Sequence, residues 1–251
     1  MDWFAIVAAG VVIGALFGLF GVGGSSFATP VLSLLGLSGF AAVASPLPAT
    51  IPAALVGARE YSRIGEVDRD VARWSLIGGL PATVVGALLS QLVGGPALLV
   101  ASGAVLGVIG VRVLRPISTA SVAAGTERRS QPALIVAVAA GVGLFTGLLA
   151  NGGGFLLVPA YLLIFGLSIR KASGTSLVVI AVLTIPTLLT HWALGHVDWA
   201  AALAFALGSI PATWIVSRKA QRIGSDRLQR AFGVLLLVFA VWFVTYRLVF
   251  A

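Results

Sequence analysis

The apolar positions of the chain run in long uninterrupted blocks. No charged residue falls between Ala5 and Ala58, Trp74 and Val111, Pro132 and Ile169, Trp199 and Ser217, or Ala231 and Tyr246. From Ala172 to Val197 the only titratable side chains are His191 and His196. Hydrocarbon offers a backbone no hydrogen-bond partner, and a spanning helix takes about 20 apolar residues, so these blocks predict membrane helices. The predicted segments are 3–20, 24–36, 40–58, 74–93, 97–114, 133–150, 153–168, 173–193, 199–217 and 230–250. The second and seventh are short for full spans, and Gly and Pro interrupt or precede them. The expected fold is all-α: a polytopic membrane protein of about 8–10 hydrophobic segments, some of them Gly-broken or re-entrant.

Composition narrows the class. Of 251 residues, 59% are hydrophobic and 10% charged, against roughly 25% charged in a soluble domain. Such a chain cannot cover a water-facing surface, which excludes a soluble enzyme, a nucleic-acid-binding module and a disordered chain. It contains no cysteine, which removes disulfides and thiolate metal sites. Chemistry inside a membrane needs a His or carboxylate cluster at depth, and the blocks carry none. The reading is therefore no enzyme, no metal and no cofactor. No Gly-x4-Gly-Lys-Ser/Thr loop is present, so ATP-driven transport by this chain alone is not expected. Met1-Asp2-Trp3-Phe4 lacks the basic leader of a secretory signal, and no cleavage is expected.

The chain reads as a duplication. Gly65-Glu-Val-Asp68 matches Gly195-His-Val-Asp198, Gly78-Gly-Leu-Pro-Ala-Thr83 matches Gly208-Ser-Ile-Pro-Ala-Thr213, and Ala101-Ser-Gly103 matches Ala231-Phe-Gly233, each 130 positions apart. Gly18, Gly23, Gly24 and Pro30 match Gly147, Gly152, Gly153 and Pro159 at 129. The repeats are 1–114 and 133–251, joined by a polar linker, 115–132, expected to be cytoplasmic.

Charge then gives orientation. There are 16 Lys and Arg against 8 Asp and Glu, and short cytoplasmic loops retain the basic residues. Loop 59–73 carries Arg59, Arg63, Arg69 and Arg73, whereas its counterpart 191–198 has no Lys or Arg. Arg218, Lys219, Arg222, Arg227 and Arg230 face an uncharged counterpart, Gly94-Gly-Pro96. Equivalent loops thus fall on opposite sides, and the two repeats are expected to have inverted topology with both termini outside. Arg247 departs from this pattern. Inverted duplication is a signature of secondary transporters, in which one site can face either side.

Candidate chemistry sits where glycine breaks the helices. The first break runs through Gly21, Gly23, Gly24, Ser25, Ser26, Thr29 and Pro30; the second through Asn151, Gly152, Gly153, Gly154 and Pro159. Consecutive glycines disfavour a helix by about 1 kcal/mol each and let the backbone approach a ligand. A helix restarting there presents N–H groups without partners and the positive end of its dipole, which suits an anion. Hairpins entering from opposite sides would bring the two tips near the midplane. Gly10, Gly14 and Gly18 instead read as a packing seam. Thr175 and Ser176 could face the substrate, with Ser173 as an N-cap. Arg59 reads as a cytoplasmic anchor paired with Glu60 or Asp68. His191 is the candidate for proton coupling, and six Trp residues fall mostly near segment ends, as an aromatic belt should.

These residues resemble the TauE/SafE family of sulfite and organosulfur exporters. The likeness rests on Gly-x-Gly-Gly followed by a Pro, Asn151-Gly152-Gly153-Gly154 with Pro159, Gly174-Thr175-Ser176-Leu177, Gly195-x-Val-Asp198 and Gly208-x-x-Pro211-Ala. It covers nearly the whole chain. It implies a permease of a bacterial or archaeal cytoplasmic membrane that moves sulfite, sulfonates or related small anions. The expected function is a secondary transporter working by alternating access, with the lipid bilayer and a small anion as partners, protons as a possible coupling ion, and no nucleic acid. An anion channel of the same architecture is the alternative.

Overall fold

The computed structural model of the chain describes residues 2–22, 24–37, 39–89, 111–114, 127–129, 131–149 and 154–250. Among them every regular element is helical. In chain order the helices are α1 Trp3–Phe20, α2 Gly24–Leu34, α3 Gly39–Ala44, α4 Leu47–Arg63, α5 Arg69–Leu89, α6 Pro132–Leu149, α7 Gly154–Leu163, α8 Ile169–Ala193, α9 Trp199–Ala220 and α10 Ser225–Phe250. Most of the expected segment 97–114, and the counterpart loop Gly94-Gly-Pro96, lie outside the described residues; Val111 to Leu114 are helical.

Five spans are long and apolar enough to cross a membrane: Trp3–Phe20, Gly39–Arg63 (α3 with α4), Arg69–Leu89, Ile169–Ala193 and Trp199–Ala220. The polypeptide is a polytopic helical membrane protein. α1 and α9 begin at the expected positions behind aspartate caps, whereas α5, α8 and α10 begin four or five residues before them. Asp2 accepts from Phe4 and Ala5, and Asp198 from Ala200 and Ala201. Ser168 rather than Ser173 is the N-cap of α8, accepting from the Lys171 N–H, and so brings Arg170 and Lys171 into the helix. Hydroxyls along the helices turn back on their own backbone: Thr83 to Gly79, Thr146 to Val142 and Thr213 to Ser209. That satisfies them without water.

Two helix crossings hold the bundle. Gly10, Gly14 and Gly18 of α1 meet Phe205, Ser209 and Thr213 of α9 in ascending order, so these helices run parallel. Gly78, Gly79 and Gly86 of α5 meet Val136, Ala139 and Leu144 of α6 in the same way. A Cβ on Gly14 would overlap Ser209, and one on Gly143 would overlap Gly79; Gly18 on Thr213 and Gly147 on Thr83 form a second such pair. Small residues let the backbones touch, the packing available where lipid competes for larger side chains.

Between the crossings stand α4 and α8. Just past the end of α4, the Asp68 N–H donates to Thr175 Oγ1 near the start of α8 at 2.9 Å. Just past the end of α8, the Asp198 N–H donates to Ser45 Oγ before the start of α4 at 3.1 Å. The two helices are therefore antiparallel. Gly65 and Gly195 make the corresponding turns with φ of 73° and 69°. Equivalent residues of the two contacts, Asp68 and Asp198, Ser45 and Thr175, and Gly65 and Gly195, stand 130 positions apart, the spacing of the sequence repeat.

The charged loops gather at one end. Buried Glu60 pairs with Arg63 at 3.0 Å and Arg218 at 3.7 Å, and Asp68 pairs with Arg129 at 3.4 Å. Gln221 donates to the Glu60 carbonyl and Arg170 to that of Ile223. The acids thus meet Arg63, Arg218 and Arg129, while Arg59 is exposed. Arg218 stacks over Trp214 at this end. Trp3, Trp192 and Trp199 are exposed at the other.

Candidate functional site

The first glycine break is built by hydroxyls. α1 ends at Gly21, whose φ of 64° places it in the left-handed region. Ser173 and the Ser176 hydroxyl press against it so closely that a Cβ would overlap both. Glycine answers both demands. The last carbonyls of α1 have no helical donor. Tyr61 donates to Gly18 O at 3.1 Å and Leu19 O at 3.0 Å, Ser173 to Phe20 O at 2.9 Å, and Ser176 to Gly21 O at 2.8 Å. Two helices thus terminate a third inside the protein.

This assembly redistributes the expected roles. Ser176 does reach the break, but its proton is shared between the Gly21 and Ser173 carbonyls. Thr175 points elsewhere and accepts the Asp68 N–H. Gly24, Ser25, Ser26, Thr29 and Pro30 all lie on α2, where Thr29 is partly buried. Gly23, Asn151, Gly152 and Gly153 lie outside the described residues, and Gly154 opens α7. The break does not sit at the middle of its span. α1 is itself a full-length apolar helix, so Gly21 stands at its far end, roughly 6–10 Å from the start of α8 by helical rise. Buried Pro159 lines an apolar cavity of about 300 Å³ with Val138, Phe145, Leu156 and Leu163.

His191 sits at the opposite end from the arginines. Its Nδ1 is 3.1 Å from His196 Nδ1, and the His196 ring stacks on Phe40 at 4.5 Å. One nitrogen must donate and the other accept, so the contact requires a lone pair on at least one ring.

A second polar place lies three turns into the crossing of α1 and α9. Gly14, Phe17, Thr50, Ala53, Phe205 and Ser209 line a cavity of about 10 Å³. Thr50 and Ser209 are buried, Thr50 donates to the Pro46 carbonyl at 3.0 Å, and Ser209 Oγ makes no hydrogen bond. Ser209 stands in the motif Gly208 to Thr213 and Thr50 in the Pro-rich stretch Ala44 to Thr50, and neither pattern marks a site. The signal was that Ser209 replaces the glycine, Gly79, at the equivalent place in the first repeat. Among the described residues no cluster of His and carboxylates is arranged to hold a metal.

Known proteins place this architecture. Residues 6–243 match the family described as sulfite exporter TauE/SafE. The chain is 28% identical over 249 residues to a Xylella fastidiosa protein named "Probable membrane transporter protein", covering 95% of this chain and 93% of that one. It is 26% identical over 249 residues to "Probable membrane transporter protein YjnA" of Bacillus subtilis, covering 93% of this chain and 96% of that one. No solved structure matches it. The chain belongs to the TauE/SafE sulfite exporter family and is a multi-pass membrane transporter.

Proposed function

We propose that this transporter carries a small sulfur oxyanion, sulfite or an organosulfonate, across a cytoplasmic membrane by alternating access between two inverted repeats. The observation that carries the reading is the pairing of contacts. Asp68 with Thr175 and Asp198 with Ser45 recur 130 positions apart, on antiparallel helices. Repeats joined through such equivalent contacts can exchange conformations at small net cost, because what one half loses the other gains. The charge distribution supports an end holding Glu60, Asp68 and their arginines in the cytoplasm, with both termini outside. In this reading the first turn of α2, from Gly24, offers backbone N–H groups to the anion. The second break supplies the counterpart through Asn151 to Gly154. His191 couples protons through its contact with His196.

Counterflow in proteoliposomes tests the mechanism. Vesicles loaded with unlabelled sulfite should accumulate external labelled sulfite transiently, and a sulfonate inside should do the same. Equal uptake with empty and loaded vesicles, together with single-channel currents, would replace the carrier by a channel. No flux of sulfite or sulfonates would remove the proposed cargo.

A further inference from the structure

We propose that the small cavity between Ser209 and Thr50 is the closed form of the mid-membrane anion site, with Ser209 as its donor to one oxygen of the cargo. The inference rests on the transport reading and adds to the glycine breaks a mid-membrane place that the cargo occupies on its way across.

Depth is the first argument. Gly14, Ser209 and Thr50 each lie about three turns from the start of their span, counted from Trp3, Trp199 and Gly39. Three turns rise roughly 16 Å, about half of a ~30 Å hydrocarbon layer. Trp3 and Trp199, both exposed, mark the same rim. The cavity therefore stands near mid-depth, where an alternating site must be reachable from either side. The Gly21 break stands nearer the basic end.

Chemistry is the second. A buried hydroxyl without a partner is costly in hydrocarbon and calls for an explanation. Thr83, Thr146 and Thr213 at the crossings, and Ser173 and Ser176 at the first break, all make hydrogen bonds; Ser209, like Thr184, makes none, and of these two Ser209 lines the cavity. It is 3% exposed and faces the cavity. Thr50 spends its proton on Pro46, so Ser209 brings the one uncommitted donor of the pair. A neutral donor at mid-depth suits an anion that must also leave.

Mobility is the third. About 10 Å³ holds roughly one water-sized group, so a polyatomic anion enters only if α4 separates from α1 and α9. The chain of α4 is suited to that movement. It is interrupted at Ser45 and Pro46, and Pro52 within it offers no N–H to the carbonyl of Pro48. α1 and α9, in backbone contact through glycine, move as one body.

The chain lacks cysteine, so Ser209→Cys and Thr50→Cys each introduce a unique thiol. The probes are methanethiosulfonates, one carrying a sulfonate and one a trimethylammonium. In proteoliposomes both thiols should react with the sulfonate reagent about ten-fold faster than with the cation, the selectivity a focusing site gives. Leu207→Cys, on the outer surface of α9 at 64% exposure, should react with neither. Inert thiols at 209 and 50 in folded, inserted protein, or faster reaction with the cation, overturn the site. Ser209→Ala removes only an oxygen and should raise the half-saturating sulfite concentration with little change in folded yield; an unchanged value also overturns it. If wild type moves sulfite while both thiols stay inert, the site fails and transport stands. If the thiols react as expected but wild type moves no oxyanion, the cargo assignment fails and the mid-membrane site stands.

Discussion

The two glycine crossings start from the same backbone design and end differently. Where α1 meets α9, Gly14 lies on Ser209 and Gly18 on Thr213; where α5 meets α6, Gly143 lies on Gly79 and Gly147 on Thr83. In the second crossing the hydroxyls of Thr83 and Thr146 are spent on their own helices, and Ser75 accepts from Tyr161 at 2.8 Å. The side chain of Leu183 packs over Gly79. In the first crossing a serine takes the place of Gly79, and its hydroxyl has no partner. On the proposed repeat, duplication supplies the scaffold, and the difference between its copies is where specificity can be built.

The largest effect should come from breaking what the crossings share. Gly14→Ala and Gly143→Ala each drive a methyl into a neighbouring backbone. Each should cost about 1–3 kcal/mol or more and reduce folded yield, read by thermal unfolding in detergent. Gly141→Ala, two residues from Gly143 but with open space at its Cβ, should shift stability by less than about 0.5 kcal/mol. Equal losses at 141 and 143 would show that helix content, not close packing, sets the effect.

Tyr61→Phe comes next. It removes the donor from the Gly18 and Leu19 carbonyls. Leaving buried acceptors without a partner costs about 1–3 kcal/mol, and the end of α1 should loosen, measured as faster hydrogen exchange around Gly21. Its equivalent in the second repeat is His191, which turns to His196 instead, so His191→Phe should leave exchange at Gly21 unchanged.

The helical blocks were legible because charge is excluded from them over tens of residues. The starts at 3, 24 and 199 were legible too, but those of α5, α8 and α10 were not. Arg170 and Lys171 look like a loop, yet a serine cap at 168 draws both into α8. The roles of hydroxyls were least legible. Thr175 and Ser176 are neighbours in sequence but point at different partners, Asp68 and Gly21, each more than a hundred residues away. Which hydroxyl is left over after such bonds form is a property of packing, and no local pattern announces Ser209.

The caps joining the repeats test whether equivalent contacts carry equal weight. Ser45→Ala strips the acceptor from the Asp198 N–H, and Thr175→Val strips it from that of Asp68. Each should cost about 1 kcal/mol. The contacts lie at opposite ends of α4 and α8, so the double variant should lose the sum within about 0.5 kcal/mol. A loss confined to one variant would mean that one end alone fixes the closed conformation.

The smallest effect on stability is also the one with an opposite sign in the two crossings. Tyr161→Phe removes the bond to Ser75 and should destabilise by roughly 0.5–1.5 kcal/mol, with sulfite flux per folded molecule unchanged. Ser209→Ala removes a hydroxyl that bonds to nothing in the protein. Deleting an unsatisfied buried polar atom, and replacing Ser with Ala in a helix, should leave stability unchanged or raise it by up to about 1 kcal/mol. Flux at low sulfite should nevertheless fall. A residue kept for packing loses stability when truncated; one kept for cargo loses function while the fold gains. If Ser209→Ala lowers the melting temperature as Tyr161→Phe does, the two crossings are the same kind of joint, and the asymmetry between the repeats does not mark a site.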